Sequence, residues 1–250
     1  MRPPDPVPAL VTVHLWRVPP RHVPTAVAHM ALDRLPLRGT PGLRFAKLLG
    51  TGTGRTFHFR DADPLRWGLL AAWGSTEDAA RFESSRVAGG WTRVADEHWR
   101  GDLVPLASRG RWARREPFGR PTPRRLAGPV ASVTRARLTP HALRTFWSAV
   151  PPVSAALQTA PGLRLALGIG EAPVGLQGTF SVWDSTASLL AFATRGQAHA
   201  DVVRRTPEER WYAEELFARF AVVGGRGTVD GRDPLAATSP SAATHGTTGG

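Results

Sequence analysis

Two stretches of this chain recur in the same order. Thr40-Pro41-Gly42-Leu43-Arg44-Phe45-Ala46 returns as Ala160-Pro161-Gly162-Leu163-Arg164-Leu165-Ala166. Ala72-Trp73-Gly74-Ser75-Thr76, followed by Phe82, returns as Val182-Trp183-Asp184-Ser185-Thr186, followed by Phe192. Ordered echoes mark a duplicated unit of roughly 100 residues. The 250-residue chain then folds as two similar halves in one body, and an active site is built by one half or between them.

Each half reads as strand, helix, strand, strand, helix, strand. This is an α+β pattern of two tandem ferredoxin-like βαββαβ units. In the first half, strands are expected at 9–18, 43–51, 65–73 and 103–106. Helices run over 24–35, with Val23, Val27, Met30 and Ala31 on the apolar face, and from the Ser75 cap to about Val87. In the second half, strands are expected at 130–137, 163–170 and 176–182, with helices opening at Thr139-Pro140, Ser185 and Thr206-Pro207. Tyr212, Leu216 and Phe220 recur every fourth residue, which continues that last helix into a strand at 220–223. Each sheet leaves one apolar face uncovered by its helices, so the two pack face to face as a dimeric-α/β-barrel-like body. The domain reading is a disordered 1–8, a first half over 9–108, a basic Pro/Arg-rich linker over 109–128, a second half over 129–235 and a disordered tail over 236–250. The ligand site falls between sheet and helices.

Composition removes several chemistries. The chain has no cysteine, which excludes disulfides, thiolate nucleophiles, iron–sulfur ligation and a haem–thiolate oxygenase. Its net charge is +12, almost all of it arginine, and Lys47 is the lone lysine. No basic stretch carries the interleaved aromatics of an RNA-binding motif, so nucleic acid is not an expected partner. The Arg109–Arg125 linker suits either a membrane surface or acidic partner, or a plain solvated connection. No segment reaches the roughly 20 apolar residues of a membrane span, and the protein reads as cytoplasmic with peripheral membrane contact.

Gly50-Thr51-Gly52-Thr53-Gly54 fails as a phosphate loop because extended sequence, rather than a helix, follows it. It reads as a flexible connection at a pocket mouth, matched by Gly168-Ile169-Gly170 with Glu171 at the rim. His199 shares a helical face with Val202 and Val203. Such a histidine is ordinarily packed in a core, and the sharper reading is an axial haem ligand, with Arg204 and Arg205 pairing the haem carboxylates. Trp73 and Trp183 belong to the core or to a slot for a flat apolar ligand.

Together, Gly42–Gly52, Ala71-Ala72-Trp73, Ser108–Trp112 with Pro117-Phe118, and Val133–Ala136 form one part of an ordered set. Phe146-Trp147, Gly168–Glu171 with Pro173, Gln177 with Thr179–Trp183, and the block from His199 through Phe220 complete it. The set covers roughly residues 10–235 and resembles the spheroidene monooxygenase family, the carotenoid 2-ketolases of purple bacteria. The resemblance implies a haem-dependent oxygenase of the dimeric α/β-barrel superfamily, acting on an apolar, carotenoid-like substrate with electrons from a ferredoxin-type donor. Within it His199 is placed as the iron ligand, and Lys47, Glu171 and Gln177 as catalytic groups. Thr51, Trp73 and Trp183 complete the expected pocket. The alternative is a non-catalytic or cofactor-free α/β barrel that binds a small apolar ligand.

Overall fold

In the computed structural model, residues 5–52, 61–122, 124, 126–138, 156–171, 178–195 and 212–236 are described. The two echoes of the sequence bond to each other in each half. Gly42 (φ 72°) and Gly162 (φ 80°) both take the left-handed backbone that only glycine adopts without strain. Each then accepts the same strand-end bond, from Gly74 N to Gly42 O and from Asp184 N to Gly162 O, both 2.8 Å. Helix caps follow at matching places: Ser75 Oγ accepts from Asp78 N and Ser185 Oγ from Ser188 N, both at 3.1 Å. These motifs recur because one local device, a glycine turn locked to a capped helix start, is used twice.

The strands are β1 (Leu10–Arg17), β2 (Leu43–Gly52), β3 (Ala62–Trp73), β4 (Glu97–Gly110), β5 (Val130–Leu138), β6 (Leu163–Gly170), β7 (Gly178–Trp183) and β8 (Tyr212–Gly227). The helices are α1 (Val23–Leu32), α2 (Arg34–Arg38), α3 (Thr76–Phe82), α4 (Arg86–Val94) and α5 (Thr186–Arg195). All strand pairings are antiparallel. The order β1-β3-β2-β6-β7-β5-β8-β4 closes on itself as a barrel. Within it, β4-β1-β3-β2 is matched by β8-β5-β7-β6.

The sheets therefore do not stack face to face as expected. They join at both edges, β2 to β6 and β4 to β8, because edge pairing satisfies the backbone groups that two open sheets would leave free. The glycine runs take part in this: Gly50 pairs with Gly170 and Gly52 with Gly168. Those glycines form a strand seam: the expected strands already held Gly50, Gly168 and Gly170, and β2 runs one residue further, to Gly52.

Alternate side chains fill the barrel. Val11, Val13, Leu15, Leu49, Leu70, Val133 and Phe180 point inward. Both ends are plugged by turns that follow the long strands. After β4, Trp112 and Phe118 enter the core, and after β8 Val229 does so, with Leu235 against it. Ala113 (φ 54°) and Arg114 (φ 61°) at one turn match Asp230 (φ 53°) and Gly231 (φ 72°) at the other. Glu214 accepts from the amides of Ala113 and Arg114 at 3.0 and 2.7 Å; Glu97 accepts from those of Asp230 and Gly231 at 3.0 and 2.6 Å. The early part of the expected solvated linker is thus barrel core. Arg115 also bonds Asp5 at 2.9 Å and the carbonyl of Arg44 at 2.8 Å, which fixes Asp5 inside the segment expected to be disordered.

Other boundaries differ for local reasons. The expected 75–87 helix breaks into α3 and α4, each started by its own serine cap, Ser75 and Ser85. Ala26 and Met30 are the buried residues of α1, while Val27 is exposed. The expected short strand at 103–106 is the middle of the longer β4. From Tyr212 onward the chain is β8 rather than helix, because Leu216, Ala218 and Phe220 are buried on alternate positions.

Candidate functional site

Residue equivalence between the halves follows from register. Leu10 lies opposite Trp73 on β3, as Val130 lies opposite Trp183 on β7. Counting along β1 and β5, Thr12 matches Ser132, His14 matches Thr134 and Trp16 matches Ala136. Across to the last strands, Thr12 faces Asp102 and Ser132 faces Arg219; His14 faces Arg100 and Thr134 faces Phe217. On β3 and β7, His14 faces Leu69 and Thr134 faces Thr179. All of these lie on the outer face of the barrel, the side covered by helices.

In the first half that face is full. His14 and Trp16 stack at 5.0 Å, Trp16 and Trp91 at 5.3 Å, and Trp16 and His98 at 5.2 Å. Trp67, Leu69 and Trp73 complete the layer under the helices. Charge is balanced internally, with Arg100 on Glu83 at 2.8 Å and on Asp102 at 2.7 Å. Burial lowers the His14 pKa well below the ordinary value, and the charges of His98, Arg100 and Arg226 add to the effect. This half is a packed core.

In the second half the equivalent positions carry small side chains. Ser132, Thr134, Ala136 and Thr179 stand where the first half has Thr12, His14, Trp16 and Leu69. An apolar cluster of Leu106, Val130, Leu157, Trp183 and Ala221 borders them. Beside this cluster, over β4 and β8, a cavity of about 640 Å³ is lined by Leu106, Ser108, Pro121 and the guanidinium-bearing Arg120, Arg124 and Arg219. Room for a ligand therefore lies over the β4–β8 seam, where the two halves and the segment between them meet.

Lys47 and Glu171 do come together, at the Trp112 end of the barrel. Lys47 Nζ bonds Glu171 Oε2 at 2.5 Å, Trp112 Nε1 donates to Oε1 at 2.6 Å, and Arg135 reaches Oε1 at 3.0 Å. Burial opposes ionisation of Glu171. The bonds from Lys47 and Trp112 and the charges of Lys47 and Arg135 outweigh it and hold the pKa below the usual carboxylate range. So bonded, Glu171 is a fixed anion rather than a proton donor.

The expected single pocket of these residues is not formed. Thr51 lies on the barrel side of β2 with its hydroxyl donated to the Arg66 carbonyl at 2.8 Å. Trp73 is in the first helix-side layer, where its Nε1 donates to Thr12 at 2.9 Å. Trp183 is in the second, donating to Ser181 at 2.9 Å and packing on Phe192. Residues on one strand face cannot share a pocket with residues behind the sheet. Gln177, His199, Arg204 and Arg205 lie outside the described residues. Among the described residues no cluster of histidines and carboxylates is arranged to hold a metal. The sequence reading counted Thr134, Ala136 and Arg219 among the matching stretches but gave them no role in the site; aligning the two repeats position by position would have singled them out.

The molecule is thus a closed antiparallel α/β barrel with a ligand-sized opening over its β4–β8 seam. A solved aldoxime dehydratase in complex with butyraldoxime shares this fold, with a TM-score of 0.57 at 11% identity over 88% of this chain and 81% of that one. No family model matches the chain. Spheroidene monooxygenase from Rhodobacter capsulatus is 36% identical over 220 residues, covering 86% of this chain and 90% of that protein. The protein of the same name from Rubrivivax gelatinosus is 37% identical over 199 residues, covering 79% and 75%. The chain belongs to the spheroidene monooxygenase family, and with it to the monooxygenase class of oxidoreductases. No helix among the described residues is long and apolar enough to cross a membrane.

Proposed function

We propose that the chain is a haem-dependent monooxygenase of an acyclic carotenoid, with its site on the helix-side face of β5, β7 and β8. The observation that carries this reading is the exchange of His14 and Trp16 for Thr134 and Ala136 at equivalent places. The second copy carries no ring at either of these two positions, and a flat apolar group would pack against them. The two copies are read as tandem ferredoxin-like halves; the segment after β5 that would complete the second lies outside the described residues.

The residues fit a porphyrin. Leu106 and Pro121 supply an apolar wall, and the buried Nε of Arg219 has no hydrogen-bond partner among the described residues. His199 would hold the iron through its imidazole, and Arg204 and Arg205 would pair with the haem carboxylates. When bound, haem supplies the capacity to bind and activate O₂. The protein's part is to exclude water with the apolar wall and to orient the bound groups through the hydroxyls of Ser132, Thr134 and Thr179. A polyene carries no charge, so the apolar wall rather than the arginines would select it. Electrons would come from a ferredoxin-type donor, and the substrate would be reached by peripheral contact with a membrane. Lys47 and Glu171 are proposed to act by positioning Trp112 and Arg135 at the barrel end.

The test is spectroscopic. Protein produced with haem supplementation should show a Soret band that His199→Ala removes, and should oxygenate acyclic carotenoid in detergent when given a reductant. Colourless protein that still oxygenates substrate would overturn the haem assignment and favour the cofactor-free reading.

A further inference from the structure

Among the described residues, the second half carries a charge without an ion pair at a position where the first half has a paired one. Asp102 on β4 is held by Arg100 on the same strand at 2.7 Å. At the equivalent places on β8 stand Arg219 for Asp102 and Phe217 for Arg100, as the registers on β1 and β5 show. In place of that internal ion pair stand a cation and an aromatic ring. Arg109 stacks over that ring at 4.6 Å, so Phe217 is already engaged by a second guanidinium. The Nε of Arg219 is buried and unbonded among the described residues. A buried guanidinium N–H left unpaired costs free energy that an incoming acceptor recovers.

Its surroundings specify that acceptor. Arg219 shares the 640 Å³ cavity with Arg120 and Arg124, against Leu106 and Pro121. Among the described residues Glu116 reaches Arg120 at 3.5 Å and Arg111 at 3.9 Å. It leaves Arg124 and Arg219 without an ion pair among the described residues. Planar guanidinium forks match carboxylate oxygens in geometry and charge, and the adjoining wall is apolar. The ligand with this chemistry has a greasy body and an acidic edge. An uncharged polyene does not.

We propose that Arg219, assisted by Arg120 and Arg124, binds the carboxylate edge of the prosthetic group and so fixes its orientation over the second half. This rests on the haem reading above and deepens it, because Arg219 is separate from the residues the sequence assigned to that edge. Arg219 is a binding residue here and takes no part in proton or oxygen transfer.

The experiment titrates haemin and haemin dimethyl ester, whose carboxylates are blocked, into apoprotein and follows the Soret band. Wild type should bind haemin at least tenfold more tightly than the ester. Arg219→Gln should weaken haemin binding by about tenfold to a hundredfold, leave ester binding unchanged and so erase the preference. Arg219→Lys should keep part of it, and equal melting midpoints for the apoproteins show that folding is not the cause. If wild type binds both porphyrins equally, or Arg219→Gln keeps the preference, the anchoring role is overturned while the haem reading stands. If neither porphyrin binds, the haem reading fails and this inference falls with it.

Discussion

His14 Nδ1 and His98 Nε2 lie 3.2 Å apart beneath the helices of the first half, their rings stacked at 5.5 Å. Neighbouring carboxylate does not hold them protonated: Glu83 is engaged by Arg100 at 2.8 Å and by Arg226 at 2.5 Å. Burial first, and then the charges of Arg226 and Arg100, lower His98 to about 4. His14 is lowered still more firmly by its burial. The pair is therefore neutral in the folded protein at neutral pH.

Acid should destabilise the fold through this pair. Both folded pKa values lie below the ordinary histidine value of about 6.5, so the unfolded chain takes up protons that the folded chain refuses. The contribution is complete above about pH 6.5 and is lost as the pH falls toward 4, on the order of 1–2 kcal/mol for His98 after screening at its exposed edge. Urea midpoints at pH 7.5, 6 and 5 should fall in that order, and His98→Gln should flatten the trend. A level profile in wild type counts against the assignment.

Trp16 is fully buried and touches three aromatic rings. Trp16→Ala removes that packing without a second group to fill the space, and should cost about 3–5 kcal/mol by chemical denaturation.

Ala136→Trp makes the reverse exchange. It restores in the second half the residue that the first half carries, so it should leave the melting midpoint nearly unchanged and block porphyrin uptake. Uptake at the wild-type level would place the ligand elsewhere.

Glu171→Gln leaves Lys47 and Arg135 facing a neutral amide. The loss should be about 1–3 kcal/mol, accompanied by a shift of the Trp112 indole resonance. Because the folded pKa of Glu171 is depressed, its contribution is present above the unfolded value near 4.5 and disappears as pH falls through the folded one. Wild type and variant should therefore converge in stability at acid pH.

Arg114 is exposed and held at φ 61°, where its counterpart in the other plug is Gly231. Arg114→Gly removes the strain of a side chain in left-handed backbone and should raise stability by up to about 1 kcal/mol. A calorimetric loss would show that the arginine side chain has a role of its own.

The duplication, the positions of most strands and the two capped helix starts were legible in the sequence because each rests on contacts a few residues apart. Gly42 and Gly162 need the same backbone conformation, and Ser75 and Ser185 cap the next turn of chain. The β8 strand was not legible, since a spacing of four residues puts Tyr212, Leu216 and Phe220 on one side of either a helix or a strand. Only pairing with β4 and β5 decided between them. Lys47 and Glu171 were singled out from sequence, but their bond joins strands far apart in the chain, and so does the Trp112 contact that makes Glu171 a fixed anion. The asymmetry at Trp16 and Ala136 was present in the letters all along. It acquired meaning from register, because the barrel alone shows that those two side chains occupy the same place in two copies.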